Sequence, residues 1–241
     1  MRKSMLVFVI LFFLPSGSGP AECDPNYGLL TKVEARAQET GSTCWAAAGQ
    51  MAMACHGEPY AKDQCRLVTE YLNPKGKLDL SKIDNDKCRR QASKDQGKLG
   101  QSVDCCQRTP NGQLTTSAAC YCSITGLPDF KGQGFNFRKV ERPTKGLDWN
   151  EVTAQICHGH PIVVTFEYPD SAHQKVASGY KIVKGTRKRI FMIDPMGPSP
   201  DPPGHTWLNF QTYTGVWGGQ GKHSTDFVDI FPASLEGVSC K

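Results

Sequence analysis

Eleven cysteines constrain this 241-residue chain more than any other feature of its sequence. They extend from Cys23 to Cys240, so cross-links could join almost any part of the chain. This number of cysteines is typical of proteins that fold in an oxidising compartment, where thiols pair as disulfides. An odd number leaves at least one thiol unpaired, and such a thiol is a candidate reactive group. The spacings are not those of a zinc site, so we expect neither a metal nor an organic cofactor.

The N-terminus has the three parts of a secretory signal peptide. The basic pair Arg2-Lys3 precedes an uninterrupted apolar run of ten residues, 5–14, which is too short to span a bilayer. Gly19 and Ala21 are small residues suited to the −3 and −1 positions of a cleavage site. We therefore predict cleavage after Ala21 and a secreted or periplasmic protein with no stable membrane anchor.

The remaining chain, residues 22–241, has little net charge. Removal of residues 1–21 takes away two basic residues and no acidic one, so the formal charge falls from +5 to +3. This excess is too small to indicate a nucleic acid partner. A hydrophobic content of 39% excludes a disordered chain. We predict one globular domain over residues 22–241, which we expect to be a monomer.

An alanine-rich segment from Cys44 to Cys55 (CWAAAGQMAMAC) predicts a central buried helix. It contains five alanines and no β-branched residue, and the Gly-Ser-Thr of residues 41–43 offers N-cap chemistry before it. Cys44 would then begin the helix, where partial positive charge and unpaired N–H groups stabilise a thiolate. Gln38 lies six residues upstream. Its amide and the Cys44 N–H together could form an oxyanion hole.

The rest of the sequence divides into a polar middle and a β-rich end. Residues 73–135 contain five cysteines and little hydrophobic periodicity, which predicts a loop-rich insert held by disulfides. The further predicted elements are helices at 60–72, 84–91 and 150–158, and strands at 162–168, 175–183 and 189–194. A helical first half thus precedes a β-rich second half, which indicates an α+β fold.

Two polar residues mark the same edge of the predicted strands. His173 lies at the start of one strand, and Asp194 ends the next. If these strands pair as a hairpin, the imidazole and the carboxylate lie close together. A carboxylate beside an imidazole fixes its tautomer and supports its charged form. The pattern therefore predicts a Cys44–His173–Asp194 triad.

The segment Gln38-x5-Cys44-Trp45-Ala46-Ala47 resembles the nucleophile segment of papain-like cysteine peptidases. Residues 155–197 are similar to the later segment of that family, with its His before a Gly-Tyr strand and its Asp-Pro at a strand end. The resemblance covers roughly residues 33–56 and 150–215 and leaves the cysteine-rich middle unexplained. It is strongest toward the compact bacterial branch, which includes leader-peptide peptidases and plant-pathogen effector proteases.

The resemblance implies a papain-like α+β architecture, with a helical lobe, a twisted antiparallel β lobe and a cleft between them. It implies that Cys44 is the nucleophile, His173 the base, Asp194 the orienting residue and Gln38 the oxyanion glutamine. The implied substrate is a polypeptide. The orienting residue departs from papain, which has an asparagine where this chain has Asp194.

Two alternatives to peptide hydrolysis remain at this stage. The same acyl-enzyme could pass its acyl group to an amine, as in a thiol acyltransferase or transpeptidase. The chain could also be a non-catalytic cysteine-rich binding protein that recognises a partner through residues 73–135. A disulfide at Cys44 would favour the binding protein.

Overall fold

The computed structural model describes most of the chain beyond the predicted signal peptide. The signal peptide itself and two of the three predicted N-cap residues, Gly41 and Ser42, lie outside the described residues. The described ranges are 23–40, 43–57, 60, 62–83, 86–99, 102–107, 110–111, 118–121, 128–142, 145–197, 204–217, 221–234 and 240–241.

An antiparallel sheet forms one layer of the molecule. Its described strands are β1 (Tyr27–Leu29), β2 (Phe135–Glu141), β3 (Ile162–Tyr168), β4 (Ser171–Val183), β5 (Arg187–Asp194), β6 (Gly204–Asn209), β7 (Val216–Trp217) and β8 (Gly221–Pro232). The order across the sheet is β2-β8-β3-β4-β5-β6, with β1 pairing β4 and β7 pairing β8. All these pairings are antiparallel.

Strand β4 lies at the centre of this sheet. One of its edges pairs with β3 and then with β1, while its other edge pairs with β5. Its residues 173–180 are all buried, because both faces are covered. Gly179 is required where β1 approaches, since a Cβ there would lie 2.8 Å from Leu29 Cδ1. A long strand buried on both faces is a rigid support for any side chain it carries.

Six α-helices lie among the described residues. They are α1 (Cys44–Ala54), α2 (Gln64–Leu72), α3 (Asp86–Leu99), α4 (Ala118–Tyr121), α5 (Trp149–Cys157) and α6 (Phe210–Thr214). Helix α1 packs against β4 and α2, and its residues 44–53 are all buried. Three of its alanines, Ala46, Ala47 and Ala48, are fully buried, because small side chains allow neighbouring elements to come close. The prediction of a central buried helix is confirmed.

The observed elements confirm the α+β class, with several changes in their bounds. Helix α2 begins at Gln64 rather than at residue 60, and β4 begins at Ser171, four residues before the predicted strand. Helix α3 extends to Leu99, well beyond the predicted end at residue 91. Strand β2 has no predicted counterpart, because its burial pattern leaves most of its residues exposed at the sheet edge.

Disulfides connect both ends of the described chain to its interior. The pairs are Cys23–Cys157, Cys55–Cys240, Cys65–Cys106 and Cys105–Cys120, and Cys88 is also disulfide-bonded. Two of these pairs link the polar middle of the chain, one of them to α2. Within the described residues, no helix has both the length and the apolar character needed to cross a bilayer.

Candidate active site

Cys44 begins helix α1 and differs from every other described cysteine. The other nine are disulfide-bonded, whereas Cys44 is a free thiol with 8% of its surface exposed. Thr43 occupies the N-cap position, but its side chain exchanges hydrogen bonds with the backbone of Thr40, not with the helix. The Thr43 side chain therefore does not cap the helix, and the other two predicted cap residues lie outside the described residues.

The imidazole of His173 projects from β4 toward both Cys44 and Asp194. Its Nε2 lies 2.6 Å from Asp194 Oδ1. Its Nδ1 has no hydrogen-bond partner within the described residues, and Cys44 is the second side chain whose interaction with the ring affects its titration. Burial alone would lower the pKa of His173, but hydrogen bonds and charge from Asp194 and Cys44 raise it to about 9. The ring is therefore an imidazolium at neutral pH.

Asp194 ends β5 and has a second cationic neighbour that the sequence did not reveal. Its Oδ2 lies 2.6 Å from Lys175 Nζ, while Oδ1 also accepts the Met196 N–H at 2.9 Å. Burial opposes ionisation, but the hydrogen bonds and charges of His173 and Lys175 hold the pKa of Asp194 far below its usual range. The carboxylate is thus shared between two cations at one end of the sheet.

The backbone of Gln38 is hydrogen-bonded to the residue that follows Asp194. Its N–H donates to the carbonyl of Pro195, the residue after Asp194, at 3.0 Å. Its side-chain amide donates one hydrogen bond to the Thr40 carbonyl at 2.8 Å. An amide has two hydrogens, so the second one remains for another acceptor. The segment before α1 and the end of β5 are therefore joined next to the triad residues.

Two buried glutamines that sequence reasoning missed hold the segment around Gln38. Gln64, the first residue of α2, donates to the Ala37 carbonyl at 2.7 Å and accepts the Glu39 N–H at 2.9 Å. Gln64 also donates to Gln50 Oε1 on α1 at 3.2 Å. The side chain of Gln64 thus makes backbone hydrogen bonds on both sides of Gln38, of the kind that a neighbouring strand would make. No motif marks it, and only its position at a helix start distinguishes it in the sequence.

The described residues contain one group of side chains whose ligand atoms lie close enough together to hold a metal ion. Possible ligand atoms of Cys55, His56 and Cys240 lie within 4.8 Å of one another. Cys55 and Cys240 form a disulfide, so neither sulfur is a free thiolate, the form that binds a metal. His56 Nε2 lies 3.0 Å from the Ile230 carbonyl. This group is explained by the disulfide and gives no reason to assign a metal.

A family model described as the Peptidase_C39 like family matches residues 30–225. The matched region contains Gln38, Cys44, His173 and Asp194.

The chain belongs to the Peptidase_C39 like family.

Membership of the Peptidase_C39 like family makes the chain a cysteine peptidase, which confirms the predicted enzyme class. Among solved structures, the chain is similar to the bromelain protease from Ananas comosus in complex with the E64 inhibitor. The two share 12% sequence identity and a TM-score of 0.41, over 86% of this chain and 100% of that one. No curated protein matches the chain in sequence.

Proposed function

We propose that this Peptidase_C39 like protein is a secreted peptidase that hydrolyses peptide bonds through a Cys44–His173–Asp194 triad. The observation that supports this most is the state of Cys44, a free thiol among nine disulfide-bonded cysteines. It begins a buried helix and lies next to an imidazole whose other nitrogen binds a carboxylate. An imidazolium beside the sulfur and a helix N-terminus behind it are the surroundings in which reactive cysteines are found.

In the proposed acylation step, the Cys44 thiolate attacks the carbonyl carbon of the substrate. A C–S bond forms, and the Cys44 N–H and the Gln38 amide hold the negative oxygen of the tetrahedral intermediate. His173 then donates its Nδ1 proton to the departing amine as the C–N bond breaks. The products of this step are a thioester on Cys44 and a neutral imidazole.

In the proposed deacylation step, water completes the reaction. The neutral His173 removes a proton from the water, and the resulting hydroxide attacks the thioester carbonyl. The C–S bond breaks, the carboxylic acid product leaves, and the thiolate–imidazolium pair is restored. Asp194 remains ionised throughout and holds the ring so that Nδ1 faces the sulfur.

Secretion is the second part of the proposal. The disulfides of the described residues fit an oxidising compartment, and the apolar run at residues 5–14 fits a signal peptide. We propose a mature domain from residue 22 to 241, with residues 73–135 as an insert. Sequencing the N-terminus of the exported protein tests this, and the expected first residue is Glu22.

Replacement of Cys44 tests the chemistry. Cys44→Ala should abolish cleavage of an unfolded protein substrate such as casein. In the unmodified protein, iodoacetamide should label Cys44 before denaturation and abolish the same activity. Full activity of Cys44→Ala would overturn the mechanism.

A matched variant separates loss of the nucleophile from loss of the oxyanion donor. Gln38→Ala should lower kcat by about 10²-fold, because one oxyanion donor is removed. It should leave the labelling of Cys44 by iodoacetamide unchanged. Product analysis with a competing amine separates hydrolysis from acyl transfer, and the proposal requires the free acid as the main product.

A further inference from the structure

Lys175 is an unusual residue for the centre of a buried sheet. Only 2% of its surface is exposed, and it lies on β4 with neighbours on both edges of the strand. Lysine is almost never fully buried unless its charge is paired. Its Nζ lies 2.6 Å from Asp194 Oδ2. The cost of burying this ammonium is therefore linked to the carboxylate that also binds His173.

The sheet register explains why these three side chains meet. His173 and Lys175 are two residues apart on β4, so they project from the same face. Val176 pairs with Ile193 on β5, and the next step along this register brings Lys175 opposite Asp194. Residues directly opposite in an antiparallel pair also share a face. Asp194 therefore has His173 on one oxygen and Lys175 on the other.

We infer that Lys175 is a positioning residue of the active site, and that the Asp194–Lys175 pair acts as a unit to orient His173. This inference rests on the proposed triad and adds a residue to it. Lys175 fixes Oδ2, so that Oδ1 stays directed at the imidazole. Lys175 also offsets part of the negative charge that the carboxylate presents to the ring.

The charged and titratable neighbours of this group define what a substitution changes. His173 and Lys175 on β4 face Asp194, Tyr168 on β3 senses its charge, and Cys44 on α1 faces His173. Removing the positive charge of Lys175 leaves the carboxylate uncompensated. The imidazolium then gains stability, and the pKa of His173 moves upward.

The first test is Lys175→Met, which keeps an unbranched side chain only one atom shorter and removes its charge. We expect kcat to fall about tenfold with little change in KM, because the misoriented ring protonates the leaving group poorly. The alkaline limb of kcat/KM should move up by about one pH unit. The matched control is Lys181→Met on the same strand, whose Nζ lies over the Trp207 ring, 3.9 Å from its centroid, and not on Asp194. This control should leave kcat and the pH profile unchanged.

The second test measures pairing without reference to activity. Asp194→Asn leaves the Lys175 ammonium buried without its carboxylate, so it should lower the melting temperature by about 10 °C. The double variant Lys175→Met/Asp194→Asn removes both charges and should regain at least half of that loss.

Three results would overturn the inference. A fourth measurement distinguishes failure of the inference from failure of the proposed function. The first is unchanged activity of Lys175→Met. The second is a loss of activity in Lys175→Met while the alkaline limb of kcat/KM stays at its original pH. A double variant no more stable than Asp194→Asn would show that the two charges do not act as a pair. If Cys44→Ala stays active, the proposed triad fails, whereas the melting temperatures still report whether Lys175 and Asp194 are coupled.

Discussion

At the scale of the residue, His173 is controlled by two neighbours with negative charge or negative potential. Asp194 binds one ring nitrogen, and Cys44 also interacts with the ring. Burial alone would make the ring neutral, and these two interactions outweigh it. The protonated ring that a leaving amine needs is thus the resting form at neutral pH. The sequence predicts that His173 and Asp194 lie together. Only the structure shows that the interactions of His173 with Asp194 and Cys44 outweigh the effect of burial.

The pH dependence of activity tests this assignment. The pKa of His173 is raised from 6.5 to about 9, so kcat/KM should be constant above neutrality and fall as pH rises through about 9. The same shift stabilises the folded state. This stability is fully present below pH 6.5 and is lost as pH rises through about 9, because deprotonation removes the favourable charge.

The control for this prediction is His173→Gln, measured by chemical denaturation across the same pH range. This variant should lack the loss of unfolding free energy between pH 6.5 and 9, because it has no titrating ring. An alkaline limb near pH 6.5 in the unmodified enzyme would contradict the assignment.

At the scale of the element, α1 and β4 could be predicted because their own residues specify them. The alanines of residues 46–48 specify a helix that neighbours can approach closely, and the β-branched and aromatic residues of β3 and β4 specify strands. The meeting of His173 with Asp194 followed from a simple hairpin. The extent of helix α3 was harder to predict. This helix is polar over most of its length, so no periodic pattern of hydrophobic residues marks its end.

The missed residues of the site share a physical reason. Lys175 and Gln64 act through partners that are distant in sequence, the carboxylate of Asp194 and the backbone around Gln38. Taken alone, a lysine at a predicted strand start indicates a solvated residue, and a glutamine at a helix start indicates nothing. Only tertiary structure shows that both are buried. Local pattern therefore predicted that His173 and Asp194 lie together and failed for the residues that hold this group in place.

The link between α2 and the segment around Gln38 gives a prediction at this scale. Gln64→Leu removes the hydrogen bonds to Ala37 and Glu39, so the Gln38 amide should become less fixed. We expect kcat to fall about tenfold, together with a loss of about 1–3 kcal/mol in unfolding free energy from the unpaired backbone groups. Steady-state kinetics and denaturant titration measure the two effects.

Asn73 provides a matched control at the other end of the same helix. Its side-chain amide donates to the Val103 carbonyl and accepts the Val103 N–H, which is the same kind of link. Asn73→Ala should therefore reduce stability similarly while kcat stays unchanged. Equal losses of kcat in both variants would show that Gln64 has no specific connection to the site.

At the scale of the whole molecule, disulfides hold elements that are far apart in sequence. Cys55 and Cys240 are separated by 185 residues, whereas Cys65 and Cys106 are separated by 41. Joint replacement of Cys55 and Cys240 by alanine should cost about 2–5 kcal/mol and lower the melting temperature by about 5–15 °C. Below that temperature the variant should keep its activity, because Cys44 is not involved.

The shorter cross-link is the comparison for this prediction. Joint replacement of Cys65 and Cys106 by alanine should cost about 1 kcal/mol less, since a shorter loop restricts the unfolded chain less. Differential scanning calorimetry measures both changes. Equal or reversed shifts would mean that loop length does not determine how these cross-links contribute.

The division of the site between α1 and β4 has a consequence for the newly made chain. In the proposed triad His173 lies 129 residues after Cys44, so a ribosome adding about 5–20 residues per second needs roughly ten seconds to reach it. During that interval the thiol lacks the imidazole that activates it. Under the proposed mechanism, the nascent polypeptide is therefore inactive until synthesis has passed β4 and β5, which carry His173 and Asp194.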